Sequence, residues 1–153
     1  MGRLNYPMFI VTTTTEREKS GCLVGFATQA SINPSRFLVG LSNKNHTYRV
    51  ARDASFLAVH VLHRSDKRLA SLFGEQTGDE INKFEYCDWL EGPEGLPILT
   101  DAAAWFYGRI LLQNPLGDHV AFLLEPIGGG VEPAESPVLT FAEVSEFDAG
   151  HGA

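Results

Sequence analysis

The stretch Gly21 to Val50, GCLVGFATQASINPSRFLVGLSNKNHTYRV, constrains this chain most, because it sets two apolar runs around two polar loops. Cys22-Leu23-Val24-Gly25-Phe26 and Phe37-Leu38-Val39-Gly40-Leu41 are short, apolar and bounded by turn residues, the pattern of buried strands. Between them, Thr28-Gln29-Ala30-Ser31-Ile32-Asn33-Pro34 gathers hydroxyl, amide and backbone donors into one bend. Ser42-Asn43-Lys44-Asn45-His46-Thr47 leaves the second run and leads into a short helix predicted over 47–53, with Asn45 as its N-cap. Two donor-rich loops flanking buried strands suit a flat, phosphorylated cofactor.

The remaining segments extend a strand-dominated pattern. Met8 to Thr15 is rich in β-branched residues and reads as a strand, followed by a charged hairpin connection over Glu16 to Gly21. Phe56 to Leu62 reads as a strand. Asp66 opens a second helix with Leu69, Ala70, Leu72 and Phe73 at helical spacing, ended by Gly74. Ala103 to Leu112 and His119 to Glu125 predict two long strands joined across 113–118. About six strands with two or three short helices make a mainly β chain and favour a barrel over a doubly wound sheet. No GxGxxG follows a predicted strand, so there is no dedicated dinucleotide domain and any nicotinamide must enter transiently.

With 153 residues the chain is long enough for one domain with a substantial core, read here as 1–130. Residues 131–153 are read as a partly ordered C-terminal extension that begins after the glycines 128–130. Its apolar patch, Val138 to Phe141, is expected to pack on a partner subunit. A formal charge of −7 argues against a nucleic-acid or anionic-membrane binder, since those present a basic face to phosphates. Cys22 and Cys87 have no CxxC spacing and cannot build a disulfide framework. No apolar run approaches the roughly 20 residues that span a bilayer, and no signal-type core follows Met1 to Asn5, so the expected location is the cytoplasm.

The five histidines, His46, His60, His63, His119 and His151, lack metal-ligand spacing with cysteines or carboxylates, so no structural metal is expected. His60 lies between Val59 and Val61 on a predicted strand and points to the face opposite both. That position suits a satisfied core histidine. Trp105-Phe106-Tyr107 leaves the face of each ring open, because a one-residue register shift exchanges them.

The Gly21 to Val50 block, taken with Tyr6-Pro7-Met8-Phe9-Ile10-Val11-Thr12, Phe56 to Leu62, Leu69 to Gly74, Asn82-Lys83-Phe84 and Gly117-Asp118-His119, resembles the flavin reductase family of FMN-binding split barrels. The resemblance covers most of the chain. It implies a homodimeric split β-barrel that binds FMN, with FAD as the alternative, and takes hydride from NADH or NADPH. Such a protein supplies reduced flavin or electrons to a partner monooxygenase.

It further implies that Thr28, Gln29, Ala30 and Ser31 line the polar edge of the flavin ring, a segment that otherwise reads as an ordinary turn. Ser42, Asn43, Asn45, His46 and Thr47 sit just ahead of the predicted helix, where free N–H groups receive a phosphate. Lys83 would add charge to that phosphate, and Phe84 would pack beside the ring or ribityl chain. His119 would stand at the mouth of the pocket as the catalytic residue, orienting the carboxamide of the nicotinamide or donating a proton; otherwise it is a strand-start histidine satisfied by Asp118. Leu124 replaces the glycine usual five residues after that histidine, which implies restricted backbone approach and narrower nicotinamide access. Two other readings stay open: a deazaflavin- or FMN-dependent oxidoreductase acting on its own substrate, and a non-catalytic flavin- or haem-binding module.

Overall fold

In the computed structural model, residues 1–133 and 136–150 are described; residues 134–135 and 151–153, including His151, lie outside the described residues. Seven strands form one antiparallel sheet: β1 (Phe9–Thr14), β2 (Lys19–Val24), β3 (Ala27–Ser31), β4 (Arg36–Ser42), β5 (Phe56–Val61), β8 (Ala104–Pro115) and β9 (His119–Val131). A short hairpin, β6 (Trp89–Glu91) and β7 (Pro97–Leu99), stands apart. The strand order is β2-β1-β5-β8-β9-β4-β3, so both edge strands, β2 and β3, are neighbours in sequence. Among the described residues there are also three α-helices, α1 (His46–Ala51), α2 (Lys67–Glu75) and α3 (Phe141–Val144), and two single-turn 3-10 helices, Lys83–Glu85 and Pro93–Gly95. Among the described residues no helix is long and apolar enough to cross a membrane.

The sheet curls because alternate residues from most of its strands share one interior. Phe9 and Val11, Cys22 and Val24, Val39 and Leu41, Leu57 and Val59, and Val120, Phe122 and Leu124 form a single buried cluster. Residues of opposite parity lie on the outer face, as the two-residue period of a strand requires. On the β1–β5 side that outer face is covered too. Ile10, Leu69, Ala70, Phe73, Phe84 and Leu99 form a second cluster under α2, and Ala58, Leu96 and Ile98 form a third beneath Trp105 and Tyr107. The open question of the aromatic run is thereby resolved, with Phe106 packed on the interior cluster and its two neighbours outside.

His60 faces this covered outer layer and is fully buried. Its Nδ1 lies 2.9 Å from the Ile10 carbonyl and its Nε2 lies 3.1 Å from the Leu99 amide nitrogen. The carbonyl can only accept and the amide can only donate, so the ring is neutral with its proton on Nδ1. Burial pushes its pKa down to about 4, against the opposing pull of the Ile10 carbonyl.

Four predicted elements differ from the structure. Thr28 to Ser31 is not a bend but the edge strand β3, because pairing with β4 satisfies one side of its backbone. The second strand starts earlier and ends earlier than the apolar run, at Lys19 and Val24, since β1 offers partners out to Thr14 and Phe26 is exposed. Gly74 does not end α2; it lies within it, where a Cβ would come 2.8 Å from Leu23 Cδ2, so the glycine serves the close approach of α2 to β2. The last strand does not end at Glu125; β9 runs on to Val131, with Gly128 to Gly130 paired with Tyr107, Phe106 and Trp105.

Beyond β9 the chain returns to its own body. Val138 bridges to His63 and Thr140 to Pro7, and Leu139 is fully buried with Met8, Leu62 and Phe73. Within the patch expected to meet a partner subunit, Leu139 is thus covered by the chain's own core, while Val138 stays 39% exposed. A capping box between Thr140 and Glu143 starts α3, and Arg64 pairs with Glu143 at 2.9 Å.

Candidate functional site

The register of β4 and β9 places Ser42 opposite His119, and this pairing builds one end of the site. The Asn43 amide donates to the Asp118 carbonyl at 2.9 Å, and the Leu116 amide donates to the His119 carbonyl at 2.8 Å, fixing the tight β8–β9 turn. Gly117 in that turn has φ 146°, a left-handed backbone that favours glycine. The His119 imidazole lies 2.7 Å from Asp118 Oδ1 through Nδ1 and packs against Phe26 with ring centroids 4.9 Å apart. Phe26 touches Tyr6 in turn, at 6.2 Å. The hydrogen bond to His119 holds the Asp118 carboxyl below the usual carboxylate range.

β3 leaves this cluster as an exposed edge strand. Thr28, Gln29 and Ala30 are exposed and Ser31 is half-buried. One backbone side is paired with β4, and the other side presents unpaired N–H and C=O groups. The side chains make short local contacts only, Thr28 Oγ1 to the Gln29 carbonyl and Gln29 Nε2 to the Ser31 carbonyl, both 3.2 Å. Those hydrophilic groups and the open strand edge fit the heteroatom edge of a flavin ring.

The loop into α1 is more self-contained than the sequence implied. Asn45 caps α1 as predicted, accepting the Thr47 amide at 2.8 Å. The Lys44 amide donates to Ser42 Oγ at 3.3 Å and the Asn45 amide donates to the Ser42 carbonyl at 3.0 Å. Several donors expected to meet a phosphate therefore build the turn itself. Ser42 and Thr47 are buried, and Thr47 Oγ1 bonds Ser20 Oγ at 2.8 Å. Asn43 and Lys44 remain exposed, and these two can meet an anion.

His46 turns away from His119. Its Nε2 lies 2.9 Å from Glu18 and its Nδ1 lies 2.9 Å from Asp79. Arg49 pairs with the same Asp79, and the bond from Arg49 is the main reason that carboxyl is held down at about 2. His46, Asp79 and Glu18 border a cavity of about 460 Å³ whose far side includes Ser20, Asn82 and Lys83. Its lining is of mixed charge, with Lys19 and Lys83 beside Glu18, Asp79 and Glu80.

Lys83 and Phe84 require correction. The Lys83 side chain is buried, and its Nζ donates to the Gly21 carbonyl at 3.0 Å and the Phe73 carbonyl at 2.9 Å. An ammonium needs such acceptors once it leaves water, and here it ties β2 to α2. Burial also lowers its pKa. Phe84 is a core residue whose ring meets Phe73 and Trp89 at 5.7 and 5.6 Å. Both residues are thus held mainly by the protein's own backbone and core, and both also line the cavity beside His46. Leu124 is likewise corrected: it is fully buried in the interior, on the opposite face of β9 from His119, so its side chain cannot narrow access beside the histidine.

Sequence reasoning missed Phe26, which it assigned to a buried strand. The glycine before it was the available signal. A Cβ on Gly25 would lie 2.5 Å from the Tyr6 ring, and that close approach of Tyr6 turns the chain so that Phe26 is exposed beside His119.

A curled antiparallel sheet with few short helices, a hydrophilic edge strand and a carboxylate-held histidine beside that edge define a small, mainly β protein with a candidate site at its rim. The chain belongs to the flavin reductase like domain family, which residues 1–148 match. It is 31% identical over 117 residues to a probable flavin reductase of Rhizobium meliloti (strain 1021), covering 74% of this chain and 37% of that protein. It is 29% identical over 119 residues to the FMN reductase (NADH) RutF of Methylorubrum extorquens, covering 78% of this chain and 58% of that one. Against the solved NADH:FAD oxidoreductase SgcE6 of Streptomyces globisporus C-1027 the TM-score is 0.85 at 24% identity, over 93% of this chain and 84% of that one, which shows a shared fold. Reductase components of monooxygenases occur among the further relatives. The chain thus spans less than two thirds of the length of each of these two curated relatives.

Proposed function

We propose that this chain is an NAD(P)H-dependent flavin reductase that binds FMN, or FAD in its place, and passes reduced flavin or electrons to a partner oxygenase. The observation that carries the reading is the meeting of His119, Ser42 and Phe26 at the end of a hydrophilic, half-paired edge strand, in a chain of the flavin reductase like domain family. Thr28, Gln29, Ala30 and Ser31 would orient the ring through the free side of β3. Asn43 and Lys44 would meet the phosphate, with Ser42 and Asn45 shaping the loop beneath it. The bound flavin supplies the hydride acceptor. The protein's own task is then orientation, hydrogen bonding and restriction of water, with His119 directing the incoming carboxamide or holding a proton beside the ring.

The curled sheet is read as a split barrel that works as a homodimer. A row formed by Leu38, Leu123 and Leu112 crosses β4, β9 and β8 on the outer face, where Leu112 is 48% exposed and Leu111 and Leu116 extend the apolar surface. A second copy of the chain would cover it and close the rim of the flavin site. Sedimentation velocity at micromolar concentration is expected to give twice the chain mass; a monomer at all concentrations would remove the dimer from the reading.

The activity is tested by mixing protein and FMN without oxygen, adding NADH or NADPH separately, and following loss of the oxidised flavin's visible absorbance. Bleaching well above a protein-free control is expected with at least one nicotinamide. His119→Ala should slow the bleaching about tenfold or more, in the range of a lost acid–base or orienting group, while FMN binding stays within about twofold. Bound flavin that neither nicotinamide reduces would overturn the reductase reading and leave a deazaflavin enzyme or a cofactor-binding module.

A further inference from the structure

Resting on the reductase reading above, we propose that Asp118 and Phe26 are positioning residues for His119: the carboxylate takes Nδ1, the phenyl ring packs against the imidazole at a tilt of 52°, and Nε2 is left as the edge that meets the ligand. The 2.7 Å contact between Nδ1 and Asp118 Oδ1 sets the tautomer. An ionised carboxylate can only accept, so the proton of the neutral ring sits on Nδ1 and Nε2 carries the lone pair. Among the described residues Nε2 has no hydrogen-bond partner. In the neutral ring it therefore accepts from a ligand N–H, as a carboxamide would offer.

The carboxylate is itself held by the fold. The Asp118 carbonyl receives the Asn43 amide at 2.9 Å, so the residue beside His119 is anchored to the end of β4. Lys44 adds a positive charge near the Asp118 carboxylate. Phe26 is anchored separately, because its carbonyl accepts the Gly40 amide at 2.7 Å. An aromatic residue that is 57% exposed, fixed by its backbone and in contact with the imidazole at 4.9 Å, forms a wall and adds little to the core. One polar contact and one apolar contact thus restrain the ring in two directions.

The test is nitrogen NMR of protein labelled with 15N-histidine, at a pH alkaline enough for the imidazole to be neutral and without flavin. His119 Nδ1 is expected at the shift of a protonated nitrogen and Nε2 at that of an unprotonated one. Asp118→Ala, at an exposed turn position, should move the neutral ring toward the Nε2–H tautomer, and Asp118→Asn should restore part of the Nδ1–H form through its amide oxygen. A wild-type ring protonated on Nε2, or a tautomer indifferent to Asp118→Ala, would overturn the proposal. In kinetics, Asp118→Ala and Phe26→Ala should each lower kcat about fivefold to tenfold with flavin affinity kept, and Phe26→Tyr should recover most of the loss. Unchanged kcat in both alanine variants would reject the positioning role. Should the wild type fail to reduce flavin at all, the reductase reading falls, while the NMR result still decides whether Asp118 fixes the ring.

Discussion

Acidifying the protein from pH 7.5 to pH 4 is expected to remove about 3 kcal/mol of stability through His60 alone, the difference between a folded pKa of about 4 and an ordinary value of 6.5. The sign follows from proton counting. Between these values the unfolded chain binds a proton at this residue and the folded chain does not, so falling pH favours unfolding. The contribution is complete above pH 6.5, declines as pH falls, and levels off below pH 4. Desolvation is the main cause, and the geometry gives it no relief: a proton on Nε2 would face the Leu99 amide N–H, a second donor.

Urea unfolding at pH 7.5, 6, 5 and 4 measures the effect. His60→Gln keeps one donor and one acceptor on an uncharged side chain and should flatten the part of the slope between pH 6.5 and pH 4. An identical slope in the variant would show that His60 takes up no such penalty. Asp79 titrates lower, its pKa being about 2, and so contributes outside this window.

Gly129→Ala is expected to be the most damaging small substitution on the surface. Gly129 is exposed, yet a Cβ there would lie 2.1 Å from the Trp105 carbonyl oxygen and 2.8 Å from Phe106 Cα. Both are backbone atoms of the paired strand β8, so no side-chain rotation relieves the clash. The strands must separate, loosening the ladder that holds Trp105, Phe106 and Tyr107 over two of the cores. Overpacking of this kind costs about 3 kcal/mol or more, which lowers Tm by on the order of 10 °C in a chain of this length. Calorimetry with Gly2→Ala as the control decides it, since a Cβ on Gly2 meets nothing within 4 Å. A Tm for Gly129→Ala within 2 °C or so of the control would show that β8 and β9 move apart without penalty.

These two positions also separate what local pattern can say from what it cannot. His60 was legible because alternation along Phe56 to Val61 sends it to the face opposite Val59 and Val61, and a histidine on a buried strand must find partners. The glycines 128–130 were not legible. In sequence they lie beyond the predicted end of the strand at Glu125, and only the register against Trp105 to Tyr107 shows that they make room for another backbone.

The same division runs through the candidate site. The apolar runs around Val24, Val39 and Val59 and the Asn45 cap follow from local periodicity and local hydrogen bonding, so the sequence by itself determined a mainly β chain with a short helix after the Phe37 to Leu41 strand. Tertiary structure alone decided which polar residues are exposed around the candidate site and which are buried. Thr28 to Ser31 became an edge strand because β4 offered pairing on one side only. Lys83 turned inward because two carbonyls left unpaired by β2 and α2 were better acceptors than distant solvent. His119 met Ser42 and Phe26, distant in sequence, because a cross-strand register and the close contact at Gly25 brought them together. Periodicity fixes the face on which a side chain lies; its neighbours on that face depend on strand order and register, which are set by contacts between distant segments.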